Sequence, residues 1–411
     1  MTSPAAPAGR AHADAGPVTV LALNSGSSSL KFGLYSVGAA GVETRLAGEA
    51  EGFGDPDGDF HALDSRGAAV VRERGRIADQ GEAVRRIGRL LDDAGLPTPD
   101  VVGHRIVHGG PDLRRHCLID ASVLRQLEAA RVFAPLHVPA ALDVIRYTEA
   151  RFPHTPQVAC LDTAFHAGMP DIARVLPIPK ALQGEGIQRY GFHGLSCESI
   201  LRQLEADLPE RLIIAHLGAG ASVTAVRAGR SVDTSMGLTP TGGVIMGTRS
   251  GDLDPGVLIY LMRQKRLDAA AVEDLVDRRS GLAGVSGVSG DMRALHEASA
   301  SDPAARLAER MFRQSVAKQI AAMIAVLDGV DAIVFTGGIG ENDSRSRAEI
   351  CERLAWIGVA LDAARNGSAT NPISQPKSRC AVLVLPARED EEIARHASAL
   401  ARPPGVGPPA R

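Results

Sequence analysis

A short turn near the start of the sequence combines glycine, serine and lysine, residue types that can hold a phosphate. The stretch VLALNSGSSSLKFGLYS, residues 20–36, has an apolar run, then Gly26 and three serines, then Lys31 and a second apolar run. A hairpin with a serine-rich turn and a turn whose amides and hydroxyls bind phosphate both remain open. Lys31 suits the second interpretation, because an ammonium group is a compact charge and no other lysine precedes Lys180.

A second glycine cluster follows the apolar run in VDAIVFTGGIGEN, residues 330–342. Glycines directly after a strand let the backbone approach a ligand closely, and free amides at such a turn favour an anion or a nucleotide. The cluster is not the dinucleotide-binding G-x-G-x-x-G, and plain turn geometry explains it equally well. We expect a loop at this position.

Three charged side chains stand where strands end or glycines cluster. Arg105, in HRIVHGG, closes an apolar run, and its guanidinium could grip a carboxylate through two hydrogen bonds. Asp162 follows a buried strand, where a carboxylate is costly unless it is paired; capping the next helix is the alternative. Arg249, in MGTRSGD, lies among glycines and hydroxyls and can reach into a cleft.

These residues must be positioned by an α/β framework. Helical patterns occupy 81–95, 140–151, 256–277 and 303–328. They alternate with strand-like runs: VTVLALN, KFGLYSV, VVGHRIVH, QVACLD, RLIIAHLG, ASVTAVRAG, AIVFTGG and AVLVLP. This alternation predicts mixed sheets, and a chain of 411 residues is long enough for two domains.

One internal repeat of a strand-turn-strand pattern suggests that the two domains are related. VLALNSGSSSLKFGLY returns in outline as IIAHLGAGASVTAVRAG at 213–229, and both read as strand, turn, strand. We therefore expect two domains that face a shared cleft, each contributing one phosphate-holding turn. The alternative is that unrelated hairpins look alike.

Composition restricts the class of partner and the compartment. A net charge of -3 and a pI near 6.5 argue against a nucleic-acid or membrane-surface binder. The five cysteines lack any C-x-x-C pair, which argues against zinc and a disulfide framework. The sequence has no run of 18 apolar residues and the leader has no apolar signal core, so we expect a cytoplasmic protein that binds small molecules.

Ten motifs, in order, make the sequence resemble the acetate kinase family of the actin, Hsp70 and sugar-kinase superfamily, from about residue 18 to about residue 396. The motifs are NSGSSSLK (24–31), HRIVHGG (104–110), APLHVP (134–139), LDTAFHAGMP (161–170), YGFHGLS (190–196), HLGAGAS (216–222), DTSMGLTP (233–240), MGTRSGDLDPG (246–256), SGVSGDMR (286–293) and GGIGEN (337–342). The resemblance implies two related ribonuclease H-like, actin-type ATPase domains with mixed sheets flanking a central cleft.

The implied domain boundaries divide the chain into two lobes and two tails. Residues 17–163 with 386–400 would form an acid-binding lobe, and 164–385 a nucleotide-binding lobe. Residues 1–16 and 401–411, rich in alanine, proline and glycine, are expected to be disordered tails. The family resemblance also implies a homodimer.

The implied reaction is reversible, Mg²⁺-dependent transfer of the ATP γ-phosphoryl group to acetate by direct in-line attack, giving acetyl phosphate and ADP; Mn²⁺ is a possible substitute. A short carboxylic acid has a pKa of about 4, so at pH 7 it needs no general base. The carboxylate and the γ-phosphate of ATP are both anions and repel each other. Catalysis therefore needs cations that position the two groups and neutralise their charge. Alternatives are a propionate or other short-chain acyl kinase, a different phosphoryl donor, or a weakened nucleotide-binding regulator.

The resemblance also implies roles for individual residues. The catalytic set would be Arg105, Asp162, His193 and Arg249. The acid pocket would be formed by Arg105, Val107, Leu136, His137, Phe192 and Pro240. ATP would be held by Ser27, Ser29, Lys31, His216, Leu217, Gly218, Ala219, Gly220, Asp291, Met292, Arg293, Gly338, Ile339, Gly340, Glu341 and Asn342. The metal ligands would be Asn24 and Glu389, with Glu391 as a competitor in PAREDEEIARH.

The sequence departs from the family pattern at four places. Ala219 stands where HLGNG has asparagine, Val138 where PLHNP has asparagine, and Cys197 where GFHGxSH ends in histidine. TPTGG, residues 239–243, replaces TPLEG. We expect these changes to cluster near the phosphate and acid sites and to alter efficiency, acid preference or donor while leaving an active kinase.

Overall fold

The strands of the computed structural model form two mixed sheets. The structure describes residues 16–26 and 29–402. The strands of the first sheet are β1 (Val18–Ser25), β2 (Ser29–Gly38), β3 (Gly41–Glu51), β4 (Asp59–Asp64), β5 (Ala69–Arg74), β6 (Val101–Ile106), β7 (Cys117–Leu118) and β8 (Gln157–Leu161). Those of the second are β9 (Arg211–Leu217), β10 (Ala221–Arg227), β11 (Arg230–Thr234), β12 (Ala332–Thr336) and β13 (Ala381–Val384).

The same five-strand pattern occurs in both sheets. The first sheet contains the order β3-β2-β1-β6-β8, and the second has the order β11-β10-β9-β12-β13. In each, the first three strands are antiparallel to their neighbours and the last three run parallel. The sequence similarity between the hairpins β1–β2 and β9–β10 is therefore part of a repeated topology. This repeat confirms the prediction of two related α/β domains.

Helices surround the sheets and join them. In the described residues they are α1 (Gln80–Asp93), α2 (Ala121–Ala129), α3 (Val138–Arg151), α4 (Asp171–Arg174), α5 (Lys180–Gln183), α6 (Gly194–Leu204), α7 (Pro255–Gln264), α8 (Ala269–Arg278), α9 (Gly281–Ser286), α10 (Met292–Ala298), α11 (Pro303–Val326), α12 (Gly337–Asn342), α13 (Ser344–Glu352), α14 (Ala363–Ser368) and α15 (Glu389–Ala401). Within the described ranges no helix has the length and apolar character needed to cross a bilayer.

Two local predictions were wrong. The helical pattern at 256–277 is two helices, because Arg266 adopts a left-handed φ of 58° and Asp268 then caps α8 by accepting a hydrogen bond from the Ala271 amide. The GGIGEN segment is not a loop but the short helix α12, which begins immediately after β12.

Helices α6 and α15 lie between the two sheets. Ile393 and Ala397 of α15 share a core with Val20 of β1, and Leu195 of α6 belongs to the same cluster. Further along α6, Ile200 packs in the other core, under the second sheet. Helix α15 thus packs on the first sheet, and the assignment of 386–400 to the first lobe stays a prediction. The proposed tails fall mainly outside the described residues, although α15 includes Ala401.

Candidate active site

A cavity of about 680 Å³ opens where the two hairpin turns face each other. It is lined by residues of both sheets and of the segments between them. The predicted site residues that line it are Asn24, Ser29, Lys31, Arg105, Val107, His137, Asp162, Phe192, His193, His216, Gly218, Ala219, Gly220, Pro240, Arg249, Gly338, Glu341 and Glu389. Folding thus brings together residues separated by more than three hundred positions in the chain.

The two hairpin turns end at this cavity. The first is closed by the pairing of Ser25 with Leu30, and the amide of Gly26 donates to the carbonyl of Ser29 at 2.8 Å. Ser27 lies outside the described residues. The second turn follows the pairing of Leu217 with Ala221, and exposed Ala219 stands at its tip.

Arg105 is held by Asp162 and Asn24. Its Nε and Nη2 donate to Asp162 Oδ2 at 2.9 and 2.6 Å, and its Nη1 donates to Asn24 Oδ1 at 3.0 Å. These contacts join β6 to the end of β8 and to the first turn. Arg105 therefore has a fixed guanidinium plane at the cavity wall, and Asp162 has the partner that its burial requires.

Asp162 is completely buried, and its second oxygen, Oδ1, has no hydrogen-bond partner among the described residues. Burial raises the pKa of Asp162, while Arg105 opposes that rise. Burial alone would lower the pKa of Arg105, but Asp162 and Glu389 raise it above its ordinary value. The guanidinium is thus a permanent cation. The helix-capping alternative for Asp162 is not observed, because its side chain faces Arg105.

Arg249 reaches the opposite side of the cavity without a carboxylate partner. Its Nη1 donates to the Pro240 carbonyl at 3.1 Å, and its Nη2 lies 3.4 Å from His137 Nε2. Within the described part of the chain no carboxylate oxygen is within 4.0 Å of Arg249. Burial lowers its pKa; the charge of Asp277 acts to raise it, and the charge of Arg105 adds to the lowering. A partly buried guanidinium without a counter-ion is suited to an anionic ligand.

His193 stands beside Arg249 in an unusual backbone conformation. Its φ is 58°, in the left-handed region that is uncommon for a residue with a side chain and is found at functional sites. A Cβ built on Gly220 would be 3.4 Å from both His193 Nε2 and Arg249 Nη1, so the two groups converge over this glycine. His193 Nδ1 lies 3.0 Å from Ser222 Oγ, which sets the ring plane.

The histidine rings of the cavity are uncharged near neutral pH. Burial lowers the pKa of His193 well below its usual value, and His216, stacked on it at 4.1 Å, contributes. Burial, with Arg249, lowers the pKa of His137 to about 3. A neutral imidazole can still donate one hydrogen bond, so His193 can contact an anion without carrying a charge.

Three oxygen-bearing side chains could hold a divalent cation. Asn24 Nδ2 lies 3.3 Å from both Glu389 Oε2 and Asp390 Oδ1, at the start of α15. Burial acts to raise the pKa of Glu389, but Arg105 and His216 keep it below the usual range; burial and Glu389 raise that of Asp390. Carboxylate and amide oxygens are the ligands that Mg²⁺ prefers, so the two carboxylates fit this ion, whereas the Asn24 amide must rotate to turn its oxygen from Arg105 toward them. Glu391 instead pairs with Arg388 and Arg395 and does not line the cavity.

A second cavity, of about 810 Å³, adjoins the first at Gly218, Ala219 and Gly338. Predicted ATP-binding residues that line it are Asp291, Met292, Arg293, Ile339 and Asn342. Asp291 caps α10 by accepting hydrogen bonds from the Arg293 and Ala294 amides. Asn342 donates to the Gly338 carbonyl and fixes α12. The volume and the mixed polar and apolar lining of this second cavity suit a nucleoside.

Some predicted residues lie away from both cavities. Leu136 lines neither one. Leu217 and Gly340 are buried and line neither cavity. Of the four departures, Val138 and Cys197 are buried in hydrophobic cores. Neither lines a cavity, although Val138 directly follows His137 of the wall and Cys197 is near enough for the charges of Asp162 and Glu389 to act on its thiol.

Several residues at the two cavities were not predicted from the sequence. Asp390 is the most important, and the acidic run EDEE signalled that a carboxylate was there without indicating which one faces inward. Ser222 lines neither cavity but contacts His193, and its motif HLGAGAS gave no indication of that contact. Thr248, His296 and Arg345 line the second cavity, and the pattern around them gave no signal of that position.

Comparison with known proteins agrees with this geometry. The model of the acetokinase family matches residues 19–395. The acetate kinase of Nitrobacter hamburgensis is 43% identical over 393 residues, covering 93% of this chain and 96% of that protein. The crystal structure of Porphyromonas gingivalis acetate kinase has a TM-score of 0.82 and 35% identity, covering 94% of this chain and all of that one.

A propionate kinase is equally close in structure. The crystal structure of this enzyme from Francisella tularensis gives a TM-score of 0.87 and 34% identity, covering 93% of this chain and all of that one. The family match extends over both hairpin turns and every residue described at the cavity wall, up to and including α15 as far as residue 395. The chain therefore belongs to the acetokinase family.

Proposed function

We propose that this enzyme transfers the γ-phosphoryl group of ATP to acetate, reversibly and with Mg²⁺, giving acetyl phosphate and ADP. The observation that carries the proposal is the placement of Arg105 and Arg249 on one cavity, bounded by two phosphate-type turns. Two anions brought together there meet fixed cations, which is the main requirement of phosphoryl transfer.

Each side chain has a role that its contacts support. Arg105, fixed by Asp162 and Asn24, binds the carboxylate of the acid. Arg249 and the neutral His193 face the transferred phosphoryl group, and Asp162 orients Arg105 rather than removing a proton. Glu389, Asp390 and Asn24 would hold Mg²⁺, which supplies charge neutralisation for the phosphate oxygens when bound. The apolar side chains of Val107, Phe192 and Pro240 would enclose the methyl group of acetate.

Propionate is the alternative acid. One methylene in an apolar pocket is worth about 1 to 3 kcal/mol, which a few lining residues do not fix. The structural similarity to a propionate kinase keeps this alternative open. The nucleoside-sized second cavity favours ATP over a donor that lacks a base, because a donor without a base would leave this cavity unfilled.

A hydroxamate assay tests the proposal. Purified enzyme is incubated with Mg-ATP, hydroxylamine and acetate, propionate or butyrate; acetyl or propionyl hydroxamate is the expected product. Arg105→Ala should raise the apparent KM for the acid and lower kcat, by on the order of 10²-fold in kcat/KM, because it removes a bidentate contact. No hydroxamate with any acid, alongside calorimetric binding of ADP, would instead indicate a nucleotide-binding regulator.

We also propose that the enzyme is a homodimer that works in a reducing compartment such as the cytoplasm. Helix α7 has no buried residue although most of its side chains are apolar, and Tyr260 is 55% exposed. Such a face favours an interface. All five cysteines are unpaired and four are buried, which suits a reducing compartment. Light scattering of the wild type and Tyr260→Glu tests self-association, with a monomeric mutant expected.

A further inference from the structure

A cluster of two histidines and one glutamate lies outside the cavity, where α6 meets α15. Glu198 Oε2 is 2.7 Å from His396 Nε2, and Glu198 Oε1 is 3.5 Å from His116 Nε2. The two imidazole rings stack with centroids 3.8 Å apart. The histidine contacts lower the pKa of Glu198 to about 2 against the effect of burial, so this carboxylate is ionised.

The cluster has the residue types of a zinc site, but one hydrogen bond argues against that role. The Leu161 amide donates to His116 Nδ1 at 2.9 Å, so Nδ1 carries a lone pair rather than a proton. In a neutral imidazole the proton is then on Nε2, the nitrogen that faces Glu198. A metal ligand needs a free lone pair on that nitrogen, which this tautomer lacks.

The cluster instead connects three elements that each carry a residue of the active site. Leu161, held by His116, directly precedes Asp162. Glu198 is on α6, the helix that begins immediately after His193. His396 is on α15, whose first two residues are the candidate metal ligands Glu389 and Asp390. A shift of Glu198 would therefore change the position of all three elements relative to one another.

Further contacts between α6 and α15 act in the same direction. Arg202 donates to both carboxylate oxygens of Glu392 at 2.7 and 3.0 Å, and Glu392 is 2% exposed. The amide of Arg388 donates to Ser199 Oγ at 3.2 Å, directly before α15 begins. These bonds hold the first turn of α15. The Glu198–His396 pair fixes a position further along the helix. Glu198 also lies 3.5 Å from His116 Nε2, and His116 Nδ1 accepts from the amide of Leu161, the last residue of β8.

We propose that Glu198 is a positioning residue that fixes the metal-binding start of α15 against Asp162 through His396 and His116. The proposal rests on the function proposed above. Glu198 itself touches neither cavity, so its effect passes through the positions of Glu389 and Asp390. Loss of its charge should weaken metal binding at the active site more than it weakens the binding of nucleotide without metal.

The test is Glu198→Gln, which keeps the size of the side chain and removes its charge. Metal-dependent binding of ADP, measured by calorimetry with Mn²⁺, should weaken by on the order of 10- to 100-fold, the usual effect of altering a group that supports metal ligands. Binding of ADP without metal should stay at the wild-type value. In the hydroxamate assay, half-maximal activity should need more Mg²⁺. Glu205→Gln, an exposed glutamate just beyond α6, is the matched control and should bind as the wild type does.

His396→Gln removes the other half of the pair at a more exposed position, and it should reproduce the effect if Glu198→Gln fails to fold. The exposed His154 provides its control. Unchanged metal-dependent binding in folded variants, or equal losses with and without metal, would overturn the proposal, as would a Glu198-dependent zinc site found by titration. If the wild type binds ADP with metal but forms no hydroxamate, the proposed function is contradicted. The role of Glu198 is then decided by the ADP-binding measurements alone.

Discussion

At the level of single residues, the two arginines of the cavity differ in whether a carboxylate is already paired with them. Arg105 is paired with Asp162, and this pairing fixes its plane. Among the described residues Arg249 has no carboxylate within 4.0 Å, although the charge of Asp277 acts on it from further away, and His193 is neutral. A ligand that brings its own negative charge is stabilised there, because a buried cation without a counter-ion is otherwise unfavourable.

Ala219→Asn tests the departure that does face the site. Ala219 is exposed at the tip of the second turn and lines both cavities, so an asparagine side chain has room and can donate to a phosphate oxygen. Because losing one such donor typically costs on the order of 10²-fold in rate, we expect the variant to raise kcat by about tenfold. Steady-state kinetics with ATP and acetate measure this. A kcat at or below the wild-type value would show that the turn no longer positions a side chain there.

At the level of elements, the two strand-turn-strand units and the helices after them place the polar groups. The turn from β12 into α12 is one of the tight connections. Gly337 has a φ of 77°, and a Cβ on it would be 2.8 Å from the Leu217 carbonyl oxygen and 3.1 Å from His216 Nε2. Glycine is required here, because both the backbone conformation and the space exclude a side chain.

Gly337→Ala should therefore lower the free energy of unfolding by about 1 to 3 kcal/mol and raise the KM for ATP, since α12 must move away from the second turn. Gly338→Ala is the adjacent control, because no atom lies within 4 Å of its Cβ and its φ is not positive. Urea unfolding measures both variants. Equal stability of the two would contradict the packing argument for Gly337.

At the level of the whole molecule, many histidines are buried as neutral rings. Burial is the first cause of the lowered pKa in each. The five with the largest lowering are His104 (about 4), His108 (about 4), His137 (about 3), His166 (about 4) and His193. Their ordinary pKa is about 6.5, so the unfolded chain takes up protons below that pH while the folded chain does not.

The free energy of unfolding should therefore change little near pH 7.5 and fall as the pH drops from about 6.5 to 5.5. Each of the five histidines contributes up to about 1.4 kcal/mol per pH unit in that interval. The raised carboxyl pKa values of Asp162 and Asp390 act in the opposite direction but are fewer. Urea midpoints across this range measure the effect, and a midpoint that rises on acidification would contradict it.

Much of the framework could be read from the sequence. All eight strand-like runs are strands, and the helical patterns at 81–95, 140–151 and 303–328 match α1, α3 and α11 to within three residues at each end. Five strands were not predicted: β3, β4 and β5, which carry charged residues and lie toward one edge of the first sheet, and the edge strands β7 and β11. Edge strands lack the continuous apolar pattern that buried strands show.

The sequence by itself determined the repeated strand-turn-strand plan and the residue types of the site, because apolar periodicity and glycine-rich turns are local properties. Which acid of EDEE faces Asn24, that Leu136 and Val138 turn away, and that Glu198 connects α6 with α15 were decided by the tertiary structure alone. These facts depend on the rotation of each helix about its axis, which is fixed by packing against distant residues. No local stretch of sequence contains that information.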